Sequence, residues 1–183
     1  YLYCVSGYAT HGLLDACTTY GTQLFWPFSN ARVAWHTVSI IDPLFTVPLL
    51  IIVVVAGLKK RPEFGRVALL WAVLYLGLGA LQRERAEDVG EEHAVSRGHI
   101  PIRLAAKPSF ANLWLWKVIY ETPDHYYIDA VRVTSSKKVI FGDSILKLDI
   151  GRDLPWLDAH SQQARDVERF RWFSNGYIAL DPT

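Results

Sequence analysis

Residues 43–82, PLFTVPLLIIVVVAGLKKRPEFGRVALLWAVLYLGLGALQ, consist of two uncharged runs of 16 residues joined by a basic turn at 59–66. A bilayer span needs about 20 apolar residues, and the flanks of each run can supply the missing turns. The turn has four basic residues and one acid, and basic turns stay in the cytoplasm. The pattern predicts a transmembrane helical hairpin. The alternative is a buried hairpin in a soluble protein, which the lack of a polar face in LLIIVVVAGL disfavours.

The first 20 residues, YLYCVSGYATHGLLDACTTY, form a third apolar segment. It is too polar for an isolated lipid-exposed span, and it suits a helix packed inside a bundle or part of a longer span. It has no signal-peptide pattern. Because the chain contains no Met, even at the first position, we expect it to be a fragment whose upstream motifs are out of view.

Charge is divided unevenly along the chain. Of the 19 Lys+Arg and 18 Asp+Glu residues, only eight lie in residues 1–82, and the near-neutral total implies no nucleic-acid partner. We therefore expect an α-helical membrane bundle of about three spans at 1–82 and a charged connector at 83–100. Residues 101–183 should form a small α+β extramembrane domain with an antiparallel sheet. If the turn is cytoplasmic, this domain lies on the periplasmic or extracellular side of a multi-pass membrane protein.

Within the extramembrane domain, β-branched and aromatic runs separated by turn residues predict the secondary structure. Strands are expected at 112–121, 125–134 and 138–149. Large residues at helical spacing predict a helix at 156–173. The final apolar segment, 176–180, is expected to be a fourth strand. Three antiparallel strands leave an edge that a partner protein could use.

His11 and Asp15 are a polar pair in an apolar segment, at positions i and i+4. On a helix they project from one face, and imidazole nitrogen and carboxylate oxygen are both good ligands for a divalent ion such as zinc. The spacing also fits a plain hydrogen-bonded pair. Cys4 and Cys17 have no zinc-site spacing and are expected to be buried apolar residues.

Asp42 directly precedes Pro43 at the start of the longest apolar run. It could cap that helix, with Pro at the first helical position, or it could face the same site as His11 and Asp15. The aromatic loop at 19–35 fits either a belt at the lipid headgroups or a lid over that site. His36, beside Trp35, is expected to be structural.

The stretch HGLLDACTTYGTQLFWPFSNARVAWHTVSIIDPLFTVPLL, residues 11–50, resembles the bacterial membrane-bound metal-dependent hydrolases of the YbcI/YdjM type. Residues 108–133 resemble the extramembrane part of the longer members. That family is distantly similar to zinc-dependent phospholipase C and P1-type nucleases. The resemblance implies a bacterial inner-membrane location and a divalent metal ion, zinc, held by His11 and Asp15. The family's H-R-G-x-T-H-S motif is absent here and is expected upstream.

Two functions are considered, the first of them implied by the resemblance. The first is an integral membrane hydrolase acting on a lipid or phosphoester at the membrane face, in which Asp15 or Asp42 holds the metal or orients a metal-activated water. The second is a non-catalytic membrane subunit whose β-rich domain docks a partner protein or a second copy of the chain.

Overall fold

The computed structural model describes residues 1–181, which form helices followed by a sheet and two further helices. The elements in chain order are α1 (Leu2–Cys17), α2 (Pro43–Lys59), α3 (Pro62–Ser96), β1 (Arg103–Pro108), β2 (Leu115–Glu121), β3 (His125–Val133), β4 (Lys137–Ile140), β5 (Ser144–Leu146), α4 (Ile150–Asp153) and α5 (Gln162–Phe173).

The helices α2 and α3 form the hairpin that the sequence predicts. Asp42 caps α2 by accepting hydrogen bonds from the backbone N–H groups of Leu44 and Phe45, and Pro43 takes the first helical position. Lys60 ends α2 in the left-handed conformation, with φ of 51°. Pro62 then opens α3, so the basic turn is short and its ends are fixed.

Within residues 1–181, α3 is the one helix both long enough and apolar enough to cross a membrane, and α2 is a shorter apolar helix. The expectation of about three spans is therefore too high, and the structure supports one or two. The helix α1 has 16 residues, about 24 Å of rise against a hydrocarbon core of about 30 Å. It also carries the polar side chains of His11 and Asp15.

The charged segment after residue 82 is the C-terminal part of α3, which runs unbroken to Ser96. Its buried residues follow helical spacing, whereas most of its charged residues point outward. The buried positions are Gln82, Ala86, Val89, Gly90 and Ala94. One helix thus carries both the apolar span and the face that packs on the sheet, and the predicted boundary at residue 82 falls inside it.

The sheet is antiparallel, with strand order β1-β2-β3-β4 and β5 also paired to β3. The strands predicted at 112–121 and 125–134 are confirmed as β2 and β3. The third predicted strand is divided into β4 and β5 around Gly142, whose N–H bonds to the Asp129 side chain. The segment 176–180 is not a strand, and the helix predicted at 156–173 begins only at Gln162, where Ser161 caps it.

Successive side chains along each strand point to opposite faces of the sheet, and the two faces contact different parts of the chain. The face toward α3 forms an apolar core of Ala86, Val89, Ala106, Trp116, Val118, Val131 and Val133. The opposite face faces α5, the segment after it and the loop between α1 and α2. A cavity therefore lies on that second face.

Candidate functional site

His11 and Asp15 form the pair that their spacing predicts. His11 Nε2 lies 3.4 Å from Asp15 Oδ2, and the two side chains are 70% and 46% exposed. Two ligands do not complete a metal site. Within residues 1–181, no group of three or more His, Cys, Asp or Glu side chains is placed to hold a metal ion. The two predicted ligands are together, and Asp42 does not join them in such a group.

Asp42 is 2% exposed and acts as a structural cap. Its Oδ1 accepts hydrogen bonds from the N–H groups of Leu44 at 3.1 Å and Phe45 at 3.3 Å. Its Oδ2 accepts one from Tyr75 Oη at 2.8 Å. The helix-capping alternative for this residue is therefore the arrangement that the structure contains.

The loop between α1 and α2 is tied to the end of α1. The N–H groups of Trp35 and Thr37 donate to the carbonyls of Ala16 and Cys17 at 2.7 and 2.8 Å. Its outer rings are strongly exposed, at 58% for Phe25, 67% for Trp26 and 95% for Phe28. Exposed aromatic rings beside apolar helices are typical of a membrane–water interface.

A cavity of about 680 Å³ lies on the second face of the sheet. Three parts of the chain enclose it: the loop between α1 and α2, strands β1–β3 with β5, and the C-terminal end of α5 with the segment after it. Its apolar and aromatic walls are supplied by Ile119, Tyr126, Ile128, Trp172, Phe173 and Tyr177. Such a mixture of apolar walls and a few polar groups is typical of small-molecule sites.

The charged side chains that line this cavity are basic. Lys107 and Lys117 face each other directly in the β1–β2 ladder, and Arg32 reaches the cavity from the loop. Burial, followed by the charges of Lys117, Arg103 and Arg32, lowers the pKa of Lys107 below its ordinary value. The cavity therefore concentrates positive charge.

His36 lines the same cavity in an unusual state. Its backbone is left-handed, with φ of 52°, and its buried Nδ1 has no hydrogen-bond partner within residues 1–181. Burial lowers the pKa of His36 from 6.5 to about 4, with further contributions from the charges of Lys107 and Arg83. The ring is neutral at neutral pH and has an unused polar atom. Unsatisfied buried atoms and uncommon backbone conformations both concentrate at functional sites.

Sequence reasoning missed Arg32, Lys107 and Lys117 and treated His36 as structural. The two lysines are ten residues apart, and only the strand register places them opposite each other. A predicted hairpin that paired KP at 107–108 with WK at 116–117 would have placed the two lysines opposite each other. That hairpin was not predicted because β1 was not predicted.

The first half of the chain also matches a known family. Residues 1–86 match the model of the YdjM inner membrane protein family. This match bears out that part of the resemblance and supports an inner-membrane location. The family description names neither an activity nor a metal, so the match does not extend to hydrolysis, zinc or the nuclease likeness. No curated protein and no solved structure matches the chain.

Proposed function

We propose that this inner-membrane protein binds a lipid at the membrane face, in the cavity between the sheet, α5 and the loop between α1 and α2. One observation carries the proposal: the cavity lies where the apolar hairpin joins the extramembrane domain. Arg83 Nη1, directly after the apolar run of α3, donates to the carbonyl of Trp35 at 2.7 Å. That loop also supplies Arg32 and His36 to the cavity.

The walls of the cavity suit the glycerol and upper acyl region of a lipid. Ile119 and Ile128 form the floor on the sheet, and Trp172 and Phe173 form part of the opposite side. The residues Trp172 and Phe173 are 49% and 48% exposed, so the aromatic side is accessible. Apolar ligands gain about 25 cal/mol for each Å² that they bury on such walls.

Photo-crosslinking in nanodiscs tests lipid binding. The full chain is reconstituted with a lipid carrying a diazirine near the glycerol, and labelled peptides are identified by mass spectrometry. We expect labels on the cavity wall, at residues 170–178 or at 119–128. Ala105→Trp should block them because Ala105 lines the cavity. Ala159→Trp, on the exposed segment before α5, is the matched control. Labelling confined to the outer surfaces of α2 and α3 would contradict lipid binding in the cavity.

The proposed topology places the basic turn in the cytoplasm and the sheet domain in the periplasm. The charge of residues 59–66 supports this orientation. The test labels single-cysteine variants in intact cells with a membrane-impermeant maleimide, after Cys4 and Cys17 are replaced by Ser. Ser136→Cys, in the exposed β3–β4 turn, should react, and Lys60→Cys should react only after lysis. The reverse pattern would invert the topology.

A second candidate function is metal-dependent hydrolysis, which the His11–Asp15 pair favours. In this version His11 and Asp15 would hold a divalent ion, zinc, and that ion would supply an activated water. Asp15 would hold the ion or orient the water. Asp42 is a weaker candidate for that role, because it is 2% exposed and its Oδ2 accepts a hydrogen bond from Tyr75 Oη at 2.8 Å. A lipid or another phosphoester at the membrane face would then be the substrate.

Metal analysis of the full chain tests this second function. We expect bound zinc in the purified protein and a loss of it in His11→Ala and Asp15→Ala. His125→Ala, which removes a histidine of β3 outside the pair, is the control. A metal-free wild-type protein would end the hydrolase hypothesis and leave lipid binding untouched.

A further inference from the structure

The β1–β2 ladder contains one matched and one unmatched charged pair on the cavity face. Arg103 lies opposite Glu121, and Lys107 lies opposite Lys117, with Ala105 and Ile119 between them. Arg103 and Lys147 both bond to the Glu121 carboxylate. The Glu121 carboxylate therefore already has two cationic partners. Opposite charges across a ladder stabilise it and like charges destabilise it, so the lysine pair needs another explanation.

No carboxylate within residues 1–181 forms an ion pair with Arg32, Lys107 or Lys117. Lys107 Nζ lies 5.3 Å from the ring centre of Tyr177, and that ring also takes the Arg103 guanidinium at 4.0 Å. Lys107 is half-buried and Lys117 is exposed, and a cation–π contact offsets only part of the charge of Lys107. The lysine pair therefore remains without an anion.

Arg32 is held in place by groups that leave its charge uncompensated. Its guanidinium donates to the carbonyl of Phe173 and lies 4.4 Å from the centre of the Phe173 ring. Both contacts are with uncharged groups of the α5 end. The loop, β1 and β2 thus each present one cation to the same cavity.

We infer that Arg32, Lys107 and Lys117 form a phosphate-binding subsite, and that the lipid of the proposed function is an anionic phospholipid. A phosphate accepts hydrogen bonds from several directions at once, as donors on three separate elements require, whereas a carboxylate suits a single planar fork. His36 adds a neutral ring nitrogen that can donate a fourth bond. The inference rests on the proposed lipid binding and adds the charge of the headgroup.

Photo-crosslinking yields from three lipid probes distinguish the inference from the proposed function. The full chain in neutral nanodiscs is exposed to diazirine-labelled phosphatidylglycerol, phosphatidylcholine or diacylglycerol. We expect cavity labelling by phosphatidylglycerol to exceed that by either neutral probe about tenfold. Lys107→Gln/Lys117→Gln should remove that preference. Lys137→Gln/Lys138→Gln, which loses the same charge on exposed β4, should keep it.

Each alternative outcome has a separate meaning. Equal cavity labelling by all three probes would overturn the phosphate subsite and leave lipid binding intact. If both double variants lost the preference for phosphatidylglycerol equally, the preference would come from general surface charge. That result would also overturn the phosphate subsite. No cavity labelling by any probe would end the proposed function. Protection of Lys107 from amine-reactive reagents by inorganic phosphate, without lipid labelling, would replace the lipid by a free phosphate ligand.

Discussion

The carboxylate of Asp42 and the hydroxyl of Tyr75 share a hydrogen bond of 2.8 Å between the start of α2 and the apolar run of α3. Both partners are buried, at 2% and 7% exposure. The same carboxylate caps α2. A residue predicted as catalytic thus has a structural task that accounts for its burial and its contacts.

Asp42→Ala should therefore lower stability. Loss of an N-cap costs about 0.5–2 kcal/mol, and the Tyr75 hydroxyl, left without its partner inside the hairpin, adds about 1–3 kcal/mol. Asp42→Asn keeps a capping oxygen and should lose less. Thermal unfolding in detergent micelles measures both. An Asp42→Ala protein as stable as the wild type would contradict this structural role.

Gln82 attaches the apolar helix to the sheet. Its Nε2 donates to the carbonyls of Leu113 at 3.3 Å and Val133 at 3.0 Å. Gln82→Leu leaves these buried carbonyls without their donor, at a cost of about 1–3 kcal/mol. We expect faster amide hydrogen exchange at the ends of β2 and β3. Gln163→Leu, on exposed α5, is the control, and equal exchange in both variants would refute the anchoring role.

Gly90 permits close contact between α3 and β2. A Cβ at this position would lie 2.6 Å from Val118 Cγ1, so Gly90→Ala should destabilise the domain by about 1–3 kcal/mol through overpacking. Gly65→Ala, where nothing lies within 4 Å of the added atom, should be neutral or stabilising. Val118→Ala should partly rescue Gly90→Ala. Additive losses in the double variant, measured by thermal unfolding, would place the strain elsewhere.

Lys117→Gln should make the lipid-free protein more stable. It removes one member of the like-charged pair across β1 and β2, and such pairs change stability by roughly 0.2–1 kcal/mol. The same change should weaken binding of anionic lipid. The unfolding midpoint in neutral detergent, measured with and without phosphatidylglycerol, checks both signs. A lipid-free midpoint below that of the wild type would show that Lys117 has a stabilising partner.

Acid should destabilise the protein partly through His36. Because its pKa falls from 6.5 unfolded to about 4 folded, the folded state resists protonation. The stability is complete above pH 6.5 and falls between pH 6.5 and 4. The upper limit is about 3 kcal/mol, reduced because the ring is only partly buried. His36→Asn, which tolerates the left-handed backbone, should flatten this part of the stability profile. An unchanged profile would remove His36 from the cause.

The hairpin could be predicted because apolar composition alone specifies it, and β2 and β3 because their alternation matches a half-buried sheet. The strand β1 could not, since Ala105 and Ala106 have low β-propensity and become a strand by pairing with β2. The basic cavity depends on that register and on a loop more than 70 residues earlier in the chain. His11 and Asp15, by contrast, were identified from their local spacing alone. Local spacing cannot identify residues from other parts of the chain that would lie beside them.

The unbroken course of α3 has a mechanical consequence. Residues 83–96 extend about 20 Å beyond the apolar run, so the helix acts as a lever whose far arm carries the sheet. Membrane helices adjust their tilt to bilayer thickness. A tilt of about 10° would move the end of that arm by a few ångströms. The thickness of the surrounding bilayer would thereby be converted into a displacement of the whole sheet domain relative to the lipid surface.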